Sequence, residues 1–139
     1  MFALKSRVLL GCLALCMIAV TGCGDNGPKL YRIKGTVTHK GKPVPNLMII
    51  FKPLDEMTKA QATGFTDANG KFELKVAYDN PGVFPGEHTV IAHDPLIDVG
   101  SKTSTEPDYL AVIAKFGPGR SPMKYDVTKN ESNLALNLD

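Results

Sequence analysis

Hydrophobic and polar residues alternate along most of the chain after Tyr31, a period of two that is typical of strands with one buried face. The predicted strands cover seven segments, residues 31–38, 47–51, 61–66, 71–76, 87–93, 123–127 and 134–138. The segment 47–51 is apolar on both faces and is therefore expected in the middle of a sheet. No segment shows a sustained helical period, and turn residues separate the segments. The pattern therefore predicts an all-β, seven-stranded antiparallel β-sandwich.

The residues Thr66 to Gly70 predict a tight turn that joins the third and fourth predicted strands into a hairpin. The carboxylate of Asp67 can accept a hydrogen bond from the backbone two residues on, and Asn69 and Gly70 tolerate the left-handed backbone that a reversal needs. A calcium-binding loop is the alternative, but apolar residues follow where further oxygen ligands would be needed. Other structural turns are predicted at Gly41, Pro85 and Gly86.

The first 22 residues are typical of a secretory signal peptide, since Lys5 and Arg7 give a positive start and residues 8–21 form an apolar run. That run is shorter than the roughly 20 apolar residues that cross a bilayer. At its end, Val-Thr-Gly-Cys resembles the lipobox of bacterial lipoproteins, in which the cysteine, here Cys23, receives the lipid and begins the mature chain. The expected organisation is a signal peptide at 1–22, a lipid-anchored tether at 23–30 and one domain at 31–139.

The other cysteines support this interpretation of Cys23. Cys12 and Cys16 lie within the predicted signal peptide, so the mature chain would form no internal disulfide. An ordinary signal peptide with a chance cysteine and an uncleaved anchor are the alternatives.

The charge balance of the mature chain does not indicate a nucleic-acid partner. Two of the 16 basic residues lie in the predicted signal peptide, which leaves 14 basic residues against 14 acidic ones. The predicted location is the cell envelope, the outer membrane being favoured because Gly24, not Asp, follows Cys23.

Three blocks of the chain resemble the recurring motifs of carboxypeptidase-regulatory-like domains. They are IKGTVTHKGKPVP at 33–45, TDANGKF at 66–72 and PGEHTV at 85–90. Together with the lipobox, they make residues 31–138 similar to small lipoproteins with one such domain. The resemblance implies a transthyretin-like, immunoglobulin-like sandwich. His88 stands where these domains often have Tyr, and we expect it at the edge of the core with its polar end toward a partner or water.

No motif predicts a catalytic site, a metal site or a cofactor. The hydroxyisourate hydrolases share the transthyretin architecture but end in a Tyr-Arg-Gly-Ser tail that this chain lacks. His88 and His93 lie five apart on one predicted strand, so they should face opposite ways and not bind iron together as in intradiol dioxygenases. His39 lies in the first predicted turn and is expected to be solvated. An enzyme on a transthyretin-like scaffold is a remote alternative.

The predicted function is a non-catalytic, lipid-anchored envelope module for structural display or protein contact. A carbohydrate- or small-ligand-binding domain is the alternative, with Tyr78 and Tyr109 as its aromatic surfaces. The 14 residues from Pro95 to Asp108 are long for a connection in a sandwich, and we expect a short edge strand at 96–99 and a mobile tip at 100–108. A tolerated insertion that has no partner is the alternative. The residues predicted to contact an envelope protein or glycan are Ile97, Lys102, Phe116 and Arg120.

Overall fold

The structure, a computed structural model, describes residues 27–57, 59–78 and 80–139; the predicted signal peptide and Cys23 lie outside them. The described chain is mostly β and forms two sheets with two short helices, which confirms the predicted β class. The strands are β1 Ile33–His39, β2 Lys42–Pro43, β3 Met48–Pro53, β4 Ala62–Phe65, β5 Lys71–Glu73, β6 Lys75–Ala77, β7 Asn80–Pro81, β8 Gly86–His93, β9 Lys124–Val127 and β10 Glu131–Asn137. The helices are α1 Pro95–Asp98 and α2 Pro107–Phe116.

The predicted number of strands is wrong, because the described ranges contain ten. Two of the additional strands, β2 and β7, have two residues each, too few to show an alternating pattern. In the first sheet β1 is central, with β2 and β5 antiparallel on one side and β10 parallel on the other. The second sheet has the order β7-β6-β4-β3-β8-β9 and is antiparallel throughout its described pairs. The parallel pairing of β1 with β10 corrects the prediction of a wholly antiparallel sandwich.

The predicted hairpin of 61–66 with 71–76 is also wrong, because its second half divides between the two sheets. Phe72 in β5 pairs with Gly35 in β1, whereas Lys75 in β6 pairs with Thr63 in β4. The chain changes sheet at Leu74, whose side chain is fully buried and whose amide donates to the carbonyl of Ile33 at 3.0 Å. The turn at 66–70 therefore connects the two layers of the sandwich rather than two neighbouring strands.

The turn itself has the backbone chemistry that its sequence predicts. The Oδ1 atom of Asp67 accepts hydrogen bonds from the amides of Asn69 at 2.8 Å and Lys71 at 2.9 Å. Gly70 has a φ of +72°, and a Cβ placed there would lie 2.6 Å from the carbonyl oxygen of Val37. Glycine is required both by the backbone conformation and by the close approach of β1.

The core lies between the two sheets. Strand β3 is buried on both faces and lies between β4 and β8, which confirms the prediction for 47–51. The buried hydrophobic residues that both sheets contribute include Ile33, Val37, Phe72 and Leu136 from the first sheet and Ile49, Phe51, Ala62, Val90, Ala92 and Val127 from the second.

His88 belongs to this core and not to its edge. It is fully buried beside the ring of Phe51, and its Nδ1 lies 2.8 Å from the carbonyl oxygen of Gly86, to which it donates. Its Nδ1 thus has a protein partner, as the prediction allowed, whereas its Nε2 is buried with no hydrogen-bond partner in the described structure. Burial, with a smaller effect from Lys59, lowers the pKa of His88 against the opposing effects of the Gly86 carbonyl and Asp126.

Two helices occupy the segment between β8 and β9, where the sequence predicted an edge strand, a mobile tip and no helix. In α2 the buried side chains are Tyr109, Val112 and Phe116, at intervals of three and four that place them on one helical face. In α1 no side chain is buried, and Asp94 caps its first turn through a hydrogen bond from the amide of Leu96 at 2.9 Å.

The strand directions define two ends of the sandwich. We call the end where β1 begins the proximal end; there Tyr31 pairs with Val83. The distal end is where β1 ends at His39. The start of β3 and the end of β4 meet at the distal end, since Met48 pairs with Phe65 and β3 follows the turn after β1. The helices follow β8 at the distal end, because His93 also pairs with Met48.

Candidate functional site

A groove of about 850 Å³ opens at the distal end. Three parts of the chain form it: the turn after β1, the end of β4, and the segment that carries α1 and the start of α2. Its lining residues are His39, Lys42, Pro43, Val44, Pro45, Asn46, Phe65, Thr66, Pro95, Leu96, Lys102, Thr103, Ser104, Glu106, Asp108 and Tyr109. The groove combines an apolar surface with charges of both signs.

One wall of the groove is the turn between β1 and β3. Lys40, Gly41 and Asn46 all have a positive φ, so the chain reverses sharply twice within a few residues. The turn is held down at Leu47, whose amide lies 2.9 Å from the Oγ1 of Thr66 and whose carbonyl accepts from the Thr66 amide at 2.9 Å. These bonds fix this wall beside the exposed ring of Phe65.

The opposite wall depends on Asp94, a carboxylate that is 1% exposed. Its Oδ1 accepts from the Leu96 amide, whereas its Oδ2 makes no hydrogen bond of good geometry in the described structure. Burial favours the neutral acid, but interactions with Thr103, the Leu96 amide, Tyr109 and His93 outweigh it and hold the pKa of Asp94 below its usual value. An ionised carboxylate thus connects α1 to the start of α2.

Tyr109 joins the two walls. Its hydroxyl donates to the carbonyl oxygen of Asn46 at 3.2 Å, across 63 residues of sequence. Burial and the nearby charge of Asp94 raise the pKa of Tyr109, so its hydroxyl keeps its proton. The side chain is buried and supports the floor of the groove instead of offering the exposed aromatic surface that was predicted for a sugar site.

His39 is buried at the base of the groove, so the prediction that it is solvated is wrong. Its Nδ1 donates to the carbonyl oxygen of Leu138 at 2.5 Å, and its Nε2 is buried with no hydrogen-bond partner in the described structure. The Oδ1 of Asp108 is 3.8 Å from that Nε2. Asp108 also lies 3.7 Å from the ammonium of Lys40 and 4.0 Å from that of Lys42, which places a small cluster of charges at the rim.

A second cavity of about 410 Å³ lies beside the groove, between α1 and α2. It brings together two of the predicted contact residues, Ile97 and Arg120. At its edge the Nε2 of His93 lies 3.0 Å from both carboxylate oxygens of Asp98, which holds α1 to the end of β8. Its apolar lining comes from Ile97, Leu110, Ile113 and Ala114.

The four predicted contact residues have different environments. Lys102 is exposed and lines the groove, whereas Ile97 and Arg120 lie in the neighbouring cavity. Phe116 is buried in the core, so its side chain is not available to a partner, and that prediction is wrong. The helical spacing 109, 112, 116 was the signal that would have placed it there.

Apart from Ile97, sequence reasoning missed the residues of an apolar surface around both cavities. We call Phe65, Leu96, Ile97, Val99 and Leu110 the distal surface; all five are exposed. Phe65 and Leu96 line the groove, and Ile97 and Leu110 line the second cavity. Phe65 is 61% exposed because it projects outward from β4. The alternation of inward and outward side chains along this strand was the sequence signal that could have predicted its exposure.

No protein-family model, curated protein or solved structure matches the chain. In the described ranges no helix is long and apolar enough to cross a bilayer. Among the same residues, no group of three or more His, Cys, Asp and Glu side chains is placed to hold a metal ion. The resemblance to carboxypeptidase-regulatory-like domains stays a prediction.

Proposed function

We propose that this chain is a lipid-anchored module of the bacterial cell envelope that binds a partner protein through its distal surface and catalyses no reaction. The lipid is attached at Cys23, which follows the sequence Val-Thr-Gly. The domain is a transthyretin-like sandwich of the carboxypeptidase-regulatory-like kind, as its three sequence blocks suggest. The favoured location is the outer membrane.

The observation that carries this proposal is the exposure of five large hydrophobic side chains around two cavities at one end of the molecule. Contiguous apolar surface with a polar rim is typical of protein interaction sites. The rim here includes Lys42, Lys102 and Arg120, and Arg can form a bidentate pair with a partner's carboxylate. The distal end is also opposite the end at which the tether joins the domain, so the lipid would not obstruct a partner.

The anchor is tested by Triton X-114 phase partitioning of the full-length protein and its Cys23→Ala variant. We expect the parent in the detergent phase and the variant in the aqueous phase. The Cys12→Ala and Cys16→Ala variants are matched controls and should partition as the parent does, because both cysteines are removed with the predicted signal peptide. A Cys23→Ala variant that stays in the detergent phase would contradict the anchor.

The partner contact is tested by photo-crosslinking in intact cells, with a benzoylphenylalanine in place of Ile97 or Phe65. A third variant carries it at Lys34, on an exposed position of β1, as the control. We expect both distal positions to give the same protein adduct and Lys34 to give none. The Phe65 adduct should weaken when Val99→Ser is added, since both side chains belong to one surface. Equal adducts from all three positions would refute a specific contact.

A carbohydrate ligand is the second candidate, favoured by the exposed ring of Phe65 beside the polar groups of Ser104 and Glu106 in the groove. Sugars stack on such rings while their hydroxyls bind polar neighbours. A glycan array probed with the full-length protein in detergent distinguishes the two candidates. Binding that Phe65→Ala abolishes, together with no protein adduct at Phe65, would favour the carbohydrate.

A further inference from the structure

Three exposed hydrophobic side chains lie at the proximal end, far from the distal surface. Leu54 and Met57 are in the loop after β3, and Tyr78 is in the turn between β6 and β7. Leu54 is 52% exposed, and Met57 and Tyr78 are each 97% exposed. We call these three residues the proximal surface. Such exposure of apolar groups on neighbouring loops is characteristic of a contact surface.

The loop after β3 and the turn after β6 lie at the same end of the second sheet. Strands β3 and β6 flank β4 and are both antiparallel to it, so they run in the same direction and end at the same side. The Nζ of Lys59 donates to the carbonyl oxygen of Pro85 at 2.7 Å, which ties the loop after β3 to the start of β8. The pair Tyr31 and Val83 lies at this end as well, so the tether joins the domain beside the proximal surface.

The length of the tether limits how far this end can lie from a membrane. Tyr31 follows Cys23 by eight residues. At about 3.3–3.6 Å per residue, even a fully extended tether would reach only about 28 Å. With a lipid on Cys23, the proximal end therefore remains within about 28 Å of the headgroups.

We propose that the proximal surface rests on the lipid bilayer, with the side chains of Leu54, Met57 and Tyr78 inserted among the headgroups. This inference depends on the proposed lipid at Cys23. Tyrosine is enriched at membrane interfaces because its ring is apolar and its hydroxyl is wet. Leucine and methionine supply the apolar area.

Lysines accompany these three residues at the proximal end. Lys59 lies in the same loop as Met57, and Lys29, in the tether, lies over the ring of Tyr31 with its Nζ 5.0 Å from the ring centroid. Asp55 and Glu56 lie in the same loop as Lys59, so the charges of this loop do not form a positive patch. The fit to a lipid surface therefore rests on the apolar side chains, and the lipid on Cys23 would bring that surface within reach permanently. The orientation that results places the distal surface away from the membrane, at the other end of the seven-residue strand β1.

The experiment uses tryptophan fluorescence, which is specific because the chain contains no tryptophan. Full-length lipoproteins that carry Met57→Trp, Tyr78→Trp or Phe65→Trp are reconstituted into vesicles of phosphatidylethanolamine and phosphatidylglycerol, with or without bromine on the acyl chains. The Phe65→Trp variant is the matched control, an exposed aromatic position at the distal end. Brominated lipid should quench most of the emission of the two proximal variants and leave that of the control unchanged.

Vesicle flotation of each sample separates failure of this inference from failure of the anchor. Protein that does not float contradicts the lipid on Cys23, and with it the inference. Protein that floats but shows no quenching at either proximal position overturns the lipid contact and leaves the anchor in place. Equal quenching of the Phe65→Trp variant overturns the proposed orientation.

Discussion

The Nδ1 of His39, at the end of β1, lies 2.5 Å from the carbonyl oxygen of Leu138, a contact between residues 99 positions apart. The Leu138 amide in turn donates to the carbonyl of Thr38 at 2.8 Å. The last residues of the chain are thus bonded to β1 beyond the end of β10. This arrangement holds His39 in its place in the lining of the groove.

Leu138→Ala should therefore destabilise the domain although it lies one residue from the C-terminus. The side chain is fully buried, and removing a buried leucine costs about 2–5 kcal/mol in the free energy of unfolding. Leu54→Ala is the matched control, because that leucine is half exposed and should change the stability by about 0.5 kcal/mol or less. Urea unfolding of the three proteins measures both effects. Similar small losses would mean that the C-terminus is not packed as described.

Two glycine variants separate backbone strain from steric contact. Gly41 and Gly70 both have a positive φ, but a Cβ on Gly41 meets nothing within 4 Å, whereas one on Gly70 lies 2.6 Å from the Val37 carbonyl oxygen. Gly41→Ala should lower the free energy of unfolding by about 1 kcal/mol because of the left-handed backbone alone. Gly70→Ala should lower the free energy of unfolding by about 1–3 kcal/mol more than Gly41→Ala does, because the backbone at Gly70 or Val37 must move. Denaturant unfolding of both variants would contradict this account if the two losses were equal.

The alternation of hydrophobic and polar residues predicted where strands lie, but not how they pair. Residues 71–76 alternate without interruption, yet Leu74 is the point at which the chain leaves one sheet for the other. The period of two specifies which side chains face the core, and Phe72 and Leu74 are both buried as expected. The partner of each strand is determined by contacts across the sequence, such as Gly35 with Phe72 and Leu134, which no local pattern contains.

The candidate site was only partly predictable for the same reason. The unusual length of 95–108 indicated where it lies, and Ile97, Lys102 and Arg120 do lie around its cavities. The ten residues of α2, which begins at Pro107, were missed because only three of them are buried, too few to show a sustained helical period. The burial of His39 depends on Leu138 at the far end of the chain, so its position in a turn predicted the opposite environment.

The buried imidazole of His88 should make the domain less stable as the pH falls below neutrality. Its pKa is lowered from 6.5 in the folded state, chiefly by burial, so below about pH 6.5 the unfolded chain binds a proton that the folded chain does not. The free energy of unfolding should therefore decrease as the pH falls from 6.5 toward the lowered value. Urea unfolding between about pH 7.5 and 5.5 measures this slope.

The control is His88→Asn, which keeps a donor for the Gly86 carbonyl but does not titrate in this range. This variant is expected to be less stable than the parent at pH 7.5 because a smaller side chain leaves a cavity. Its stability should depend less steeply on pH than that of the parent. Parallel pH profiles of the two proteins would assign the slope to other groups.

The carboxylate of Asp94 should contribute stability that is present at neutral pH and lost in acid. Its pKa is lowered from 3.8 in the folded state despite burial, because interactions with Thr103, the Leu96 amide and Tyr109 favour the charged form. The unfolded chain therefore takes up a proton first as the pH falls, and the contribution disappears as the pH passes through the lowered pKa.

Asp94→Ala, which also removes the cap of α1, should lower the free energy of unfolding by about 1–2 kcal/mol at pH 7. Asp94→Asn keeps an oxygen for the Leu96 amide and should cost less. The difference in stability between the parent and Asp94→Asn, followed by urea unfolding, should be constant above about pH 5 and shrink below 3.8. A difference that does not change with pH would show that the cap, and not the charge, accounts for the effect of Asp94.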